Sequence, residues 1–196
     1  MKKKFAMLAA MVMLFIIAAA GQIAMAETAE NPDFELVEAE LDGTAVGTLC
    51  LPKDWNYTID IQLKPENAPL PMDIVIVHEE EKGITLFLQR LGPDAYEAAG
   101  VPMPADVEEF SQRSGPQSFL AEGEEYAYDE LGNLRLIHPF TLDGEPCSHC
   151  VCLKQAENAM GYVQIYYPVD LEIENLPYLL ANSCLADVTG EDDDYT

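Results

Sequence analysis

The sequence contains none of the short motifs that mark the common catalytic sites. There is no G-x-S-x-G nucleophile turn, no H-E-x-x-H zinc-protease motif and no glycine-rich phosphate loop among its 196 residues. These absences exclude the best-marked classes of hydrolase, metalloprotease and nucleotide-binding enzyme. We therefore expect a protein that is not an enzyme.

Basic residues are also scarce. Ten Lys and Arg residues stand against 35 Asp and Glu residues, which gives a formal net charge of −25 at pH 7. Such a field repels nucleic acid and anionic surfaces and attracts cations. Nucleic acid is thus excluded as a partner, whereas divalent cations remain candidates, although no spaced Asp/Asn/Gly loop of the EF-hand type is present.

No hydrophobic run is long enough to span a membrane. A spanning helix needs about 20 apolar residues, whereas the run of residues 5–20 is shorter and breaks at Gly21. Three lysines precede it and Ala-Met-Ala at residues 24–26 follows, which is typical of a secretory signal peptide rather than of the alternative, a membrane anchor. We expect residues 1–26 to be removed and a soluble bacterial protein to be secreted. It then has a formal charge of −28, because the removed segment carries three basic residues and no acidic one.

Short β-rich runs separated by turn residues begin the mature chain. The clearest pair is "DIVIV" (Asp73 to Val77) and "ITLFLQR" (Ile84 to Arg90), which flank a charged loop and predict a β-hairpin. Between Pro93 and Gln112 the pattern changes to helix-start chemistry, with Asp94 or Asp106 as the cap.

A second series of strands is predicted from Glu124 to Tyr167, with Val163, Ile165 and Tyr167 directed toward a helical layer because apolar and polar residues alternate there. A closing helix follows within Asp170 to Leu185. For that helix, Asn175 is the predicted cap and Pro177 a first-turn residue.

The order of these elements predicts an α+β fold, with a mostly antiparallel β-sheet covered by helices. We expect a single domain over residues 27–186 and a disordered acidic tail over residues 187–196.

Three segments of the chain carry a family resemblance. They are "LPKDW" (Leu51 to Trp55), "GYVQIYY" (Gly161 to Tyr167) and "NSCL" (Asn182 to Leu185), which ends the last helix. Together with the order of elements, they give a sequence that resembles the PsbP-like and DcrB-like exported proteins. The resemblance implies an accessory or binding role toward a protein partner, with no shared set of catalytic residues.

The stretch "EPCSHCVC" (Glu145 to Cys152) holds three of the five cysteines. Its Cys-x-x-Cys form suggests redox chemistry, but a thioredoxin-type site needs a helix after the first cysteine, and strand residues follow here. On an extended strand Cys147 and Cys150 point to opposite faces, roughly 10 Å apart, so a local disulfide is disfavoured. A disulfide that involves the cluster would then need Cys50 or Cys184 as its partner. Because the compartment of an exported protein is oxidising, we predict that Cys50 and Cys184 pair with each other.

Two other interpretations of the cluster stay open. The turn "DGEP" joins it to "LRLIHPFTL", and a hairpin there places His138, His149 and Cys147 on one face and Cys150 and Cys152 on the other. The first set could bind Zn²⁺ or a copper ion, since thiolate and imidazole suit both metals. Alternatively that face is simply core, and His138 is a satisfied core or edge histidine.

Overall fold

A computed structural model describes residues 31–114, 126–128, 134–136, 140–142 and 145–189 of the chain. The described residues from Asp33 onward belong to one compact unit. Within these ranges the chain forms eleven strands and three helices. In chain order they are β1 (Phe34–Leu41), β2 (Thr44–Pro52), β3 (Tyr57–Leu63), β4 (Asp73–Glu79), β5 (Ile84–Leu91), α1 (Pro93–Ala99), α2 (Val107–Ser114), β6 (Tyr126–Tyr128), β7 (Leu134–Leu136), β8 (Phe140–Leu142), β9 (Glu145–Gln155), β10 (Met160–Pro168), α3 (Leu176–Asn182) and β11 (Cys184–Leu185).

The strands form two antiparallel sheets. The smaller sheet has the order β1-β2-β11, and the larger has the order β3-β4-β5-β10-β9-β7-β6, with β8 also paired to β9. The α+β class is therefore confirmed. The expected single sheet is not, because β1 and β2 pair with each other and with β11 rather than with the larger sheet.

The main core lies on one face of the larger sheet. As predicted, Val163, Ile165 and Tyr167 are buried there, beside Leu86 and Leu88 of β5. The same cluster includes side chains of the smaller sheet and of α3: Val46, Leu49, Leu51, Leu176, Leu179 and Leu180. The expected helical layer is thus shared with a second sheet on this face.

A smaller apolar cluster lies on the opposite face of the larger sheet and includes side chains of the two helices of the middle segment. Ala95 and Tyr96 of α1 and Phe110 of α2 pack with Leu91 and Met160. The two last residues are register partners on β5 and β10. Helices α1 and α2 therefore pack against β5 and β10 on this face, but the expected covering of the sheet by helices is not confirmed.

The helices begin at residue types that favour a helix N-terminus. Asp106 caps α2 as predicted, because its Oδ1 accepts a hydrogen bond from the Glu109 amide at 2.8 Å. Asp94 instead lies in the first turn of α1, after Gly92 at the N-cap. Asn175 precedes α3 and Pro177 lies in its first turn, as predicted, but Asn175 makes no side-chain cap and holds a left-handed backbone at φ 54°.

The closing helix is shorter than the predicted segment. It ends at Asn182, and Cys184 lies on β11, where it pairs with Thr48. The reason lies at Ser183, which is fully buried. Its hydroxyl donates to the Leu179 carbonyl at 2.9 Å and accepts the Cys50 amide at 3.0 Å, so it joins the end of α3 to β2.

After β11 the chain is held by hydrogen bonds to the connection between β9 and β10. Asp187 accepts the Glu157 amide through its carboxylate at 2.7 Å, and the Val188 amide donates to Asn158 Oδ1 at 2.7 Å. These two residues begin the predicted acidic tail. The predicted signal peptide lies outside the described residues. No helix in the described part of the chain is long and apolar enough to cross a membrane.

Candidate functional site

A groove on the larger sheet is the most site-like feature of the described structure. Its floor is a single row of side chains across four strands, because Gln62 of β3 pairs with Ile74, Ile74 pairs with Gln89, and Gln89 pairs with Tyr162 of β10. Partners in register present their side chains to the same face of a sheet. Amide and apolar groups thus alternate along the floor.

The wall on one side comes from the segment that connects β3 to β4. Leu70 and Met72 supply apolar side chains, and Pro65, Asn67, Ala68 and Pro69 complete the lining. The Ala68 amide donates to the Pro65 carbonyl at 2.9 Å, which closes a turn at the start of this segment. The groove has a volume of about 660 Å³. Ligand sites of small molecules fall in the range of about 300–1,000 Å³.

Arg113 of α2 contributes the cationic side chain among the described residues of the lining. Its Nη1 donates to the Pro102 carbonyl at 2.8 Å, and its Nη2 forms an ion pair with Glu109 one turn earlier. Glu109 in turn accepts the Ala105 amide at 2.7 Å. The guanidinium is therefore held in place and its charge is matched within the helix.

Tyr162 ties the floor to α2. Its ring stacks on Phe110 with 6.3 Å between centroids and 17° between planes. Burial raises the pKa of the Tyr162 phenol, and the neighbouring Tyr166 raises it further. Tyr162 thus presents a neutral hydroxyl and an aromatic ring rather than a charge.

Part of the cysteine and histidine cluster, namely Cys147 and His149, lies elsewhere on the groove face of the sheet. His149 pairs with Tyr166 and its ring stacks on that phenol at 4.3 Å. Its Nε2 lies 3.2 Å from Gln164 Oε1, so one of the two imidazole nitrogens already has a partner. Burial raises the pKa of the Cys147 thiol. The pKa of the Tyr166 phenol is raised chiefly by burial and secondly by the neighbouring Cys147.

The predicted separation of the cluster into two faces is confirmed for the described residues. Cys150 pairs with Ile165 and Cys152 with Val163, both in the main core, whereas His149 lies on the opposite face. Phe140 of β8 pairs with Cys147 of β9, so even-numbered residues of the first strand face odd-numbered residues of the second, as predicted. His138 lies outside the described residues, and within those residues no group of three metal-ligating side chains is found.

Cys50 and Cys184 are both free thiols on adjacent strands of the smaller sheet. Cys184 pairs with Thr48, two residues from Cys50, so the two cysteines are diagonal neighbours. Diagonal positions in an antiparallel pair are about 7–8 Å apart, close to the ~7 Å limit for a bridge. Cys50 is buried and Cys184 is exposed. The disulfide stays a prediction.

Comparison with protein-family models, with curated proteins and with solved structures finds no match for this chain.

The groove was not predicted from the sequence. Each floor residue belongs to a strand whose alternation is visible, but their convergence depends on the register of four strands. The available signal is the proline-rich segment "KPENAPLPM" (Lys64 to Met72), which is long for a connection between adjacent antiparallel strands.

Proposed function

We propose that this chain is an exported, non-enzymatic accessory or binding domain of the PsbP-like or DcrB-like type, and that it binds an uncharged, mainly apolar small molecule in the groove. The observation that carries the proposal is the cross-strand floor of Gln62, Ile74, Gln89 and Tyr162 beneath an apolar wall. A largely apolar pocket with a few convergent polar groups is the usual form of a small-molecule site.

The charge of the protein supports an uncharged ligand. The mature chain is expected to carry 28 more acidic than basic residues, and this field opposes the approach of an anion. Arg113 offers little compensation, since Glu109 and the Pro102 carbonyl already hold its guanidinium. A cation would meet no acidic side chain among the described lining residues.

The test uses Nile red, a neutral apolar dye whose fluorescence rises in apolar sites. We expect saturable binding to the purified mature protein with a stoichiometry of one. The variant Gln62→Trp places an indole over the floor from an exposed edge position and should weaken binding about tenfold or more. Thr58→Trp is the matched control, because Thr58 is an exposed residue on the same strand and the same face, four positions away.

Two outcomes would contradict the proposal. One is the absence of saturable dye binding by the parent protein. The other is equal binding by Gln62→Trp and Thr58→Trp, which would place the dye outside the groove.

A second candidate function, the binding of zinc or copper, rests on Cys147 and His149. They are two residues apart on β9 and therefore share a face of the strand. A metal site would require His138 or another ligand as well. This candidate is compatible with a binding role for the groove, because the two sites involve different residues.

A further inference from the structure

One hydroxyl of the smaller apolar cluster has no hydrogen-bond partner within the described structure. It belongs to Tyr96 of α1, whose side chain is only 9% exposed and whose oxygen is fully buried. A buried polar group without a partner costs free energy, and such groups are rare enough in native proteins to require an explanation.

The position of Tyr96 suggests that explanation. Its ring packs in the smaller apolar cluster with Leu91, Leu70, Met72 and Tyr162, and these four side chains also line the groove. Tyr162 and Arg113, at the groove, are close enough to act on the phenol electrostatically. The side chain that carries the unpartnered hydroxyl therefore packs with residues of the groove lining.

One flexible side chain is shared by the groove and the cluster that holds this hydroxyl. Met72 belongs to both the groove wall and the Tyr96 cluster. Methionine is unbranched and has three rotatable side-chain bonds, so it readapts to a new neighbour at small cost.

We propose that the groove ligand carries a hydrogen-bond acceptor, such as a ketone, ester or amide carbonyl, and that the Tyr96 hydroxyl donates to it. This inference rests on the proposed function, because it specifies the ligand of the same groove. The phenol suits the donor role because burial keeps it protonated, with its pKa raised to about 12. An acceptor on an otherwise apolar molecule would satisfy the orphan donor without adding a charge to an acidic protein.

The experiment compares two displacing ligands of similar size, 2-nonanone and n-decane, in competition with bound Nile red. Both are applied to the parent protein and to the variants Tyr96→Phe and Tyr162→Phe. We expect Tyr96→Phe to weaken the ketone by about five- to tenfold, as for the loss of one neutral hydrogen bond. Binding of the hydrocarbon should be unchanged. Because each ligand is compared between variants, their different solubilities in water cancel.

The outcomes separate the inference from the function on which it rests. If both ligands displace the dye but Tyr96→Phe affects them equally, the groove binds apolar molecules and the role of Tyr96 is wrong. If Tyr162→Phe alone weakens the ketone, the acceptor meets the floor phenol instead and the inference is again wrong. If neither ligand displaces Nile red from the parent protein, the proposed function itself fails.

Discussion

The guanidinium of Arg90 and the carboxylate of Asp73 form a buried ion pair at the edge of the main core. Arg90 Nη2 and Nε donate to the same oxygen, Asp73 Oδ2, at 2.7 and 3.0 Å, and the arginine is 1% exposed. Its third nitrogen, Nη1, donates to the carbonyls of Ala45 and Asp187 at 2.6 and 3.0 Å. One side chain of the larger sheet thus binds both β2 and the chain that follows β11.

Replacing this arginine should therefore be costly. We expect Arg90→Met to lower the free energy of unfolding by about 3–5 kcal/mol, because it leaves the Asp73 carboxylate buried without its partner. The matched substitution Arg113→Met breaks an ion pair that is more than a third exposed on both sides and should cost about 1 kcal/mol or less. Urea unfolding followed by circular dichroism measures both. Equal losses would show that the Arg90 pair does not join the two sheets as described.

The Tyr96 hydroxyl, which has no hydrogen-bond partner within the described structure, leads to the opposite prediction, namely that its removal stabilises the protein. Without ligand, Tyr96→Phe should raise the free energy of unfolding by about 1 kcal/mol, because it removes a buried polar atom that has no partner. The same variant is expected to lose affinity for a carbonyl ligand. A gain in stability together with a loss of binding distinguishes a ligand contact from a structural residue.

The titration of Tyr96 adds a test at alkaline pH. Its pKa is raised from 10.0 to about 12, chiefly by burial and secondly by Tyr162. The unfolded phenol ionises above pH 10 while the folded phenol stays protonated, so the unfolded state binds fewer protons and stability falls as pH rises from 10 to 12. Tyr96→Phe should lose less stability over this interval than the parent protein, as measured by urea unfolding at pH 9, 10 and 11. Parallel curves would contradict the burial of this phenol.

The alternation of apolar and polar residues allowed the hairpin of β4 and β5 and the inward face of β10 to be predicted. This signal is clear because the two faces of each of these strands have different surroundings. The first strand was missed. The segment "FELVEAEL" of β1 places Glu35, Glu38 and Glu40 on an exposed edge strand, so its apolar period is weak. The two-residue strand β11 is too short for any period to show. Since the smaller sheet depends on both, it could not be predicted, and neither could the sharing of the core between two sheets.

Gly161 offers a test of the close approach of β10 to β5. A Cβ atom at this position would lie 1.9 Å from the Gln89 carbonyl oxygen and 3.3 Å from Arg90 Cα. Both are backbone atoms of the paired strand, so no side-chain rotation can relieve the clash. We expect Gly161→Ala to destabilise the protein by about 3 kcal/mol or more.

The control for this substitution is Gly43→Ala. Gly43 has a left-handed backbone at φ 81°, but a Cβ there would meet nothing within 4 Å. Its cost should be limited to the backbone preference, about 1 kcal/mol. If thermal and urea unfolding show that Gly43→Ala is the more damaging of the two, the packing of β10 against β5 is looser than described.

The cysteine and histidine cluster gives the last prediction. If the protein binds Zn²⁺ or Cu⁺, the ligands should be Cys147, His149 and His138, and Cys152 should be dispensable because it lies on the core face with Val163. Titration of the reduced protein with Zn²⁺ should then lose its high-affinity phase in His149→Ala and keep it in Cys152→Ser. The pH dependence follows from the thiol: burial raises the Cys147 pKa, and metal binds the thiolate, so affinity should still be rising above pH 8 and should fall steadily as pH is lowered. Loss of the high-affinity phase in Cys152→Ser but not in His149→Ala would contradict this prediction, because it would place the metal on the core face of β9. Affinity weaker than micromolar in the parent protein would instead leave the stacked pair of His149 and Tyr166 as part of the packing of the sheet.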